Sequence, residues 1–503
     1  MPKKPETVAA ATEAVAAPQQ EVSLLDSIIE QGIRPRDDND RQNAKNLVQQ
    51  FVTEVMMMNG AMKTAKTSED VLRYCIHEID KKISQQLNEV MHAPEFQKLE
   101  ASWRGLHYLV QKTETSETLK IRVLNAPKKD LVKDVETAVE FDQSVLFKQI
   151  YEQEFGTFGG SPYGVLIGDY EFGGEPQDIY LLEKISNIAA AAHAPFIAAA
   201  HSRLFNLDSF AELGTPRDLA KIFDNKSEAK YVKWAAFRKA EDSRYVGLTL
   251  PHILLRGPYG NDTVPVEAFD FEEDVDGKDH GKYLWGNAAY AFATLITNAF
   301  AKYNWCTAIR GVEGGGLVEG LPTHSFRTDD GEVALKCPTE IAITDRRENE
   351  LATLGFIPLI HCKGTNYAAF FGASSTQKPQ KFYDNAANAN ARLSAQLQYI
   401  MATARFAHYL KAMMRDKIGS FMERNECETF LNKWIKEYTV ATPGVGLDIL
   451  ASHPLRAARI EVSEVPGKPG VYKAVAFLKP HFQLDELSVS LRLVAELPPP
   501  ARG

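Results

Sequence analysis

Apolar and polar positions alternate along this chain in two rhythms, and the rhythm changes several times. Near the start, EVSLLDSIIEQG places Leu24, Leu25, Ile28 and Ile29 on one helical stripe, with Ser23 as a suitable N-cap and Gly32 able to end the turn. Residues 1–20, rich in Ala, Pro, Glu and Gln, offer nothing to bury and read as a disordered leader. The polar RPRDDNDRQN after Ile33 reads as a linker, so a short amphipathic helix is tethered by chain on both sides. A helix this short is marginal alone. It either docks on its own domain or serves as an exposed recognition peptide that needs a groove.

Two longer helices follow, the second carrying Leu72, Cys75, Ile76, Ile79, Ile83, Leu87 and Val90 at helical spacing after Ser68. Leu119–Asn125 alternates as a strand does, with Leu119, Ile121 and Val123 apolar. From Tyr163 the order is strand, helix (Gln177–Ala192) and strand (PFIAAAH), the pattern of a βαβ crossover and of a mixed sheet. Strands are predicted at Tyr245–Leu255, Glu340–Thr344, Phe356–Cys362 and Tyr367–Phe371, and helices at Lys282–Tyr303 and Asp345–Leu354. Polar ASSTQKPQKFYD at 373–384 marks a boundary. Beyond it the pattern predicts one long helix from Asn385 to about Met422, a shorter one around Phe430, Trp434 and Tyr438, and strands at Ile460–Val465 and Val471–Leu478 around a PGKPG turn. Leu487, Val489, Leu491 and Leu493 then alternate with polar residues until LPPP. The fold class is mixed α/β: a sheet with a βαβ unit in the main body, then a C-terminal region of long helix and terminal strands. The expected divisions are 1–43, 44–375 and 376–503.

Composition narrows this picture only by exclusion. The 503 residues are 44% hydrophobic and 24% charged, which suits a large soluble core and not a disordered, collagenous or disulfide-stapled chain. The net charge of −9 gives no general attraction to nucleic acid or anionic membrane. Five scattered cysteines without a C-x-x-C pair fit a reducing compartment, and no signal-peptide core or membrane-length apolar run is visible.

The chemistry-bearing patterns are weak. FGTFGGSPYG precedes a strand, whereas a phosphate loop follows one and opens a helix; GVEGGGLVEG has no Lys-Ser/Thr and carries Glu313 and Glu319. Glycines at turns with positive φ account for both. Cys337, His361 and Cys362 lack the paired spacing of a zinc site, and neighbours on a strand point to opposite faces. There is no G-x-S-x-G elbow or H-E-x-x-H pair, and Glu272/Glu273 and Asp329/Asp330 read as solvated surface. No catalytic, cofactor or metal residue is assigned. One charged feature stands out: Arg405, Lys411, Arg415, Lys417 and Arg424 in RFAHYLKAMMRDKIGSFMER, with His408, Lys411 and Arg415 on one helix face. It reads as a solvated face or a cationic contact strip.

The phrases that fail as catalytic motifs match a family in order. FDQSVLFKQIYEQEFGTFGGSPYGVLIGDYEF, AAAHAPFIAAAH, EDSRYVGLTLPHILLRGPYG, YLWGNAAY, KCPTEIAITDRRENELATLG, HYLKAMMRDKIG and PGKPGVYKAVAFLKPHFQLDELSVSLRLVAELP closely resemble the large sheath subunit of bacterial type VI secretion systems, the TssC or VipB family, over roughly residues 45–498. The resemblance implies a structural protein without catalytic residues or cofactors. It implies a bacterial cytoplasmic sheath docked on a membrane-anchored baseplate. The implied partners are the small sheath subunit TssB (VipA), neighbouring TssC protomers, the Hcp inner tube, baseplate components and the AAA+ unfoldase ClpV, with neither nucleic acid nor direct membrane insertion.

On that resemblance, Leu24, Leu25, Ile28 and Ile29 stand where some relatives carry the unfoldase-recognition helix. Val471, Val475, Phe477, Leu487, Val489, Leu491 and Leu493 become candidates for strand exchange between protomers, and Arg405, Lys411, Arg415 and Lys417 for a contact with the tube or a neighbour. A cytosolic α/β enzyme acting on an anionic substrate and a non-polymerising chaperone adaptor are the alternatives from other classes.

Overall fold

A computed structural model describes residues 29, 32, 34–57, 68–215, 217–420, 422–442, 444–467 and 471–483. Contacts divide the chain into two compact units, Met1–Gln86 with Glu267–Phe271, and Leu87–Val266 with Glu272–Gly503. The first holds helix α1 (Asp38–Met57) and most of α2 (Ser68–Met91).

The second unit is organised by a six-stranded mixed sheet. Its strands are β1 (Leu166–Phe172), β2 (Phe196–Ala200), β3 (Val246–Leu250), β4 (Leu317–Val318), β5 (Ile357–His361) and β6 (Ala368–Phe370), in spatial order β1-β2-β3-β5-β6-β4. β1, β2, β3 and β5 run parallel, with Leu166 opposite Phe196, Phe196 opposite Val246 and Thr249 opposite Ile357; β6 is antiparallel to both β5 and β4. The crossover read from sequence is present between β1 and β2, while Glu340–Thr344 forms no strand and Leu119–Asn125 is extended chain without a ladder.

Alternation in the strands sends side chains to two cores, as period 2 requires. Phe196, Ala198 and Leu248 face one core with α4 (Lys128–Thr137), α5 (Pro176–Ala192) and α6 (Ala229–Lys239), whose Leu131, Leu181, Leu182, Ile185, Tyr231 and Trp234 are buried there, as are Leu351 and Phe356. Ile197, Ile357, Leu359 and Phe370 face the other, against Phe292, Leu295 and Ile296 of α7 (Ala289–Tyr303). The aromatic packing is dense on the first face: Trp234 stacks on Phe356 with centroids 5.9 Å apart and planes at 10°. Helix α3 (Pro94–Lys112) rests on α7, where Gly105 lies so close to the Tyr290 ring that no Cβ would fit.

The single long helix expected after residue 385 is two helices, α8 (Asn385–Leu393) and α9 (Leu397–Asp416). The break has a backbone cause: Ser375 N–H donates to Ala395 O and Leu397 N–H to Ala373 O, so the chain turns at 394–395 and is extended at Gln396 beside Ser374. Leu397, Ile400 and Met401 of α9 belong to the second core, and Phe406 belongs to a third. That third core joins Trp305, Cys427, Leu431 and Ile435 to Leu455, Ile460 and Val462; Trp305 and Phe406 are 4.4 Å apart between ring centroids. Helix α10 (Arg424–Lys436) and a hairpin of β7 (Leu455–Glu464) and β8 (Tyr472–Pro480) complete it.

Candidate assembly surfaces

The terminal hairpin has one finished side and one open side. Within it, Arg459 pairs with Phe477, Glu461 with Val475 and Ser463 with Lys473. Along its other edge β7 is satisfied by α10 side chains: Asn432 donates to Ile460 O (2.7 Å) and accepts from Ile460 N–H (2.9 Å), and Glu428 accepts from Val462 N–H (3.0 Å). The far edge of β8 has no strand beside it among the described residues. Val475 and Phe477 are 41% and 47% exposed and Val471 is 45% exposed, so the hairpin's outer face carries uncovered apolar side chains among the exposed Arg459, Glu461, Ser463 and Lys473, with Arg459 over the Phe477 ring. Leu487, Val489, Leu491 and Leu493 lie outside the described residues. Their launching point does not: Gln483 N–H donates to Tyr399 Oη (3.1 Å) and its amide to Thr307 O (3.0 Å), which fixes the exit from the hairpin on the body.

Two helices carry exposed apolar stripes, and only the helical spacing of the one on α2 was read from the sequence. On α2, Leu72, Ile76, Ile79 and Ile83 are exposed and only Cys75 of that series is buried. On α3, Phe96, Leu99, Trp103 and Val110 form an exposed stripe at helical spacing, with Trp103 66% exposed. Apolar stripes of this length are more than scattered surface leucines and mark interaction faces. Of the N-terminal helix, Leu24, Leu25 and Ile28 lie outside the described residues, and Ile29 is buried.

The basic helix differs from the expected outward strip. Lys411 Nζ sits 3.4 Å from the Phe155 ring centroid and 4.9 Å from that of Tyr151, and Arg415 donates to Phe155 O and Thr157 O. Arg405 lies over Phe300 and Tyr409, and Lys417 over Phe430. Cation–π pairing and carbonyl acceptors turn these heads inward, because a charge over an aromatic face keeps part of what it loses on leaving water. The aromatics that hold Lys411 lie more than 250 positions away in sequence and gave no signal.

Two charged clusters were missed. Glu273, read as solvated, has a side chain only 1% exposed; it takes both Arg256 Nη atoms (2.6 and 3.0 Å), the Tyr259 N–H and a contact from His92 at 3.3 Å. The same guanidinium reaches Glu100 on α3 (2.8 Å), which also takes Arg104. Burial pushes the Glu100 carboxyl up, but the two arginines outweigh it and hold it below the usual range. At the C-terminal ends of the parallel strands, His252 bridges Glu340 (2.6 Å) and Glu171 (3.0 Å). Burial alone would lower the His252 pKa; the two carboxylates lift it to about 10, and Glu171, though crowded by neighbouring chain, is held down to about 2 by His252. Both clusters bind loops together.

The other candidate groups stay apart. His361 contacts Thr365 O and Cys337 contacts Thr339, and among the described residues no three His, Cys, Asp or Glu side chains converge as metal ligands. Gly311, Gly315 and Gly320 have φ of 72°, 84° and 70°, the turn geometry expected of that loop. No described helix is long and apolar enough to cross a membrane.

Residues 73–377 match the VipB family model, described as the EvpB/VC_A0108 tail sheath N-terminal domain, and residues 386–497 match the corresponding tail sheath gpW/gp25-like domain. The chain is 49% identical over 485 residues to the type VI secretion system sheath protein TssC1 of Pseudomonas aeruginosa, covering 95% of this chain and 96% of that protein. Solved structures of the anti-feeding prophage baseplate and contracted helical sheath overlap loosely. The baseplate match has TM-score 0.34 at 8% identity (63% of this chain, 66% of that one), and the sheath match has 0.28 at 9% (62% and 66%). The assignment rests on the first two comparisons: the chain belongs to the VipB tail-sheath family, as a structural sheath subunit and not an enzyme.

Proposed function

We propose that this chain is the large subunit of a type VI secretion sheath that pairs with the small sheath subunit and polymerises through its terminal hairpin into a cytoplasmic tubule around an inner tube. The observation that carries the polymerising part is the open edge of β8, beside an anchored exit at Gln483 and an alternating segment, Leu487–Leu493. An extended segment added there gains main-chain hydrogen bonds worth about 0.5–1.5 kcal/mol each, with alternate side chains setting register. The expected C-terminal part from residue 376 then supplies the linkage, while the first turns of α9 within it stay in the core under the sheet. Electron microscopy of the chain co-expressed with the small subunit tests the reading: long hollow tubules support it, and discrete particles of one or two chains defeat it.

For the small subunit, the exposed stripe on α2 is the docking face this reading favours. A helical partner laying its own apolar stripe along Leu72, Ile76, Ile79 and Ile83 would cover it by the helix-in-groove mode. Ile79→Asp places a charge in that contact, so co-purification of the small subunit should fall at least tenfold. Undiminished co-purification would move the docking face elsewhere.

The tethered segment around Leu24, Leu25, Ile28 and Ile29 is proposed as the handle for the disassembling unfoldase. A peptide of residues 20–32 is expected to bind the unfoldase N-terminal domain, and its Leu25→Asp version to bind at least tenfold more weakly. Equal affinities in a fluorescence titration would discard the handle. Contact of the sheath with the inner tube is part of the same reading, but the cations of α9 are poor candidates for it, since their heads are engaged within the chain.

A further inference from the structure

We propose that the seat of α9 on the segment Lys148–Phe155 is an acid-releasable interlock, in which protonation of His408 frees the C-terminal half of α9 from that segment. Lys148–Phe155 is a π-helical turn, and its last ring is the hub of the contact. Around Phe155 stand the His408 ring (5.1 Å between centroids), the His193 ring (5.9 Å) and Lys411. His408 is 6% exposed and its Nε2–H donates to Ala192 O (2.9 Å) at the end of α5. Its Nδ1 is buried with no partner. A neutral ring loses little by this, since Nδ1 is then a lone pair; the imidazolium would place a second N–H where nothing accepts it.

The charges around the two rings point the same way. On α9 itself, Arg405 and Lys411 act on His408, and Lys411 acts on His193, which stands 6.1 Å away between centroids. Arg415 is spent on the carbonyls of Phe155 and Thr157. On the packed segment, Glu154 is committed to Arg122 and the Ser161 N–H, while Lys148 and Glu152 share its turn. On the remaining side, His193 meets the Tyr245 hydroxyl (3.3 Å), and Asp242 and Arg244 act on that tyrosine. The Ala192 carbonyl is the one group favouring a charged His408, and burial outweighs it, so the pKa is pushed down to about 4; burial also lowers His193.

The sign follows by linkage. A depressed histidine leaves the closed interlock at full strength above the ordinary pKa of about 6.5, and weakens it progressively as pH falls toward the folded value. From pH 7.5 to pH 5.0, His408 alone makes opening about 30-fold more favourable, and His193 adds in the same direction. Amide hydrogen exchange on the full chain, corrected for intrinsic rates, reads this directly. Protection at 405–416 and 148–157 should drop about 30-fold or more between these pH values, while α7 changes far less. His408→Gln keeps a donor for Ala192 O and cannot titrate, so most of that drop should disappear. A wild-type chain with no selective loss at these segments overturns the proposal, as does a Gln variant with the full wild-type drop. Should the variant not fold at pH 7.5, the wild-type comparison with α7 decides alone.

Discussion

Val489→Pro, or Leu491→Pro, is expected to abolish tubules altogether while the chain stays folded and still binds the small subunit. Proline removes an N–H and fixes φ, so it cannot serve inside a hydrogen-bonded ladder. The fold of the chain should tolerate it, because every described member of the three cores precedes Gln483. The loss per subunit is a few hydrogen bonds and the side chains they register, yet it recurs at every joint of a polymer. Electron microscopy supplies the count of tubules, and the circular dichroism melt supplies the folded control. Tubules of ordinary length from either variant would take the linking role away from this segment.

The second large effect is expected at Arg256. Replacing it with Leu leaves Glu273 and Glu100 facing each other in a site where Glu273 is 1% exposed. Removing one member of a buried ion pair costs about 3–5 kcal/mol, chiefly because the remaining charge is left uncompensated. The urea midpoint should fall accordingly, with exchange protection lost first on α3, which this guanidinium ties to the Gly257–Glu273 loop. Arg256→Lys should recover only part of the loss, since an ammonium cannot span both carboxylates in a planar fork. An Arg256→Leu chain as stable as wild type would show that the cluster is solvated and its ions are worth little.

The body of the fold was legible where a pattern depends on neighbours in sequence. The crossover Leu166–Ala200 could be read because strand, helix and strand each satisfy their own period, and Asp345–Thr353 because its ends and face are local. Leu119–Asn125 has the alternation of a strand but finds no ladder, and Val123 is 67% exposed: β character is a fit to a neighbouring surface that the segment itself does not encode. The same holds for the surfaces. Counting charges on α9 found the cations, but Phe155 and Thr157, which capture Lys411 and Arg415, are remote in sequence. Glu273 looked like one more acid in an acidic loop, and only its meeting with Arg256, Tyr259 and His92 makes it structural. The spacing of the α2 stripe was found but not its exposure, since a periodic pattern says that a face is covered without saying by which chain.

The path of α9 has a mechanical consequence. Its first turns are wedged into the core under the sheet and its later turns into the core under the hairpin, without interruption from Leu397 to Asp416. A pull applied at the hairpin therefore reaches the sheet through a stiff rod about 30 Å long, loaded along continuous packing instead of through a linker. Strain cannot be absorbed between those two cores without breaking one of them.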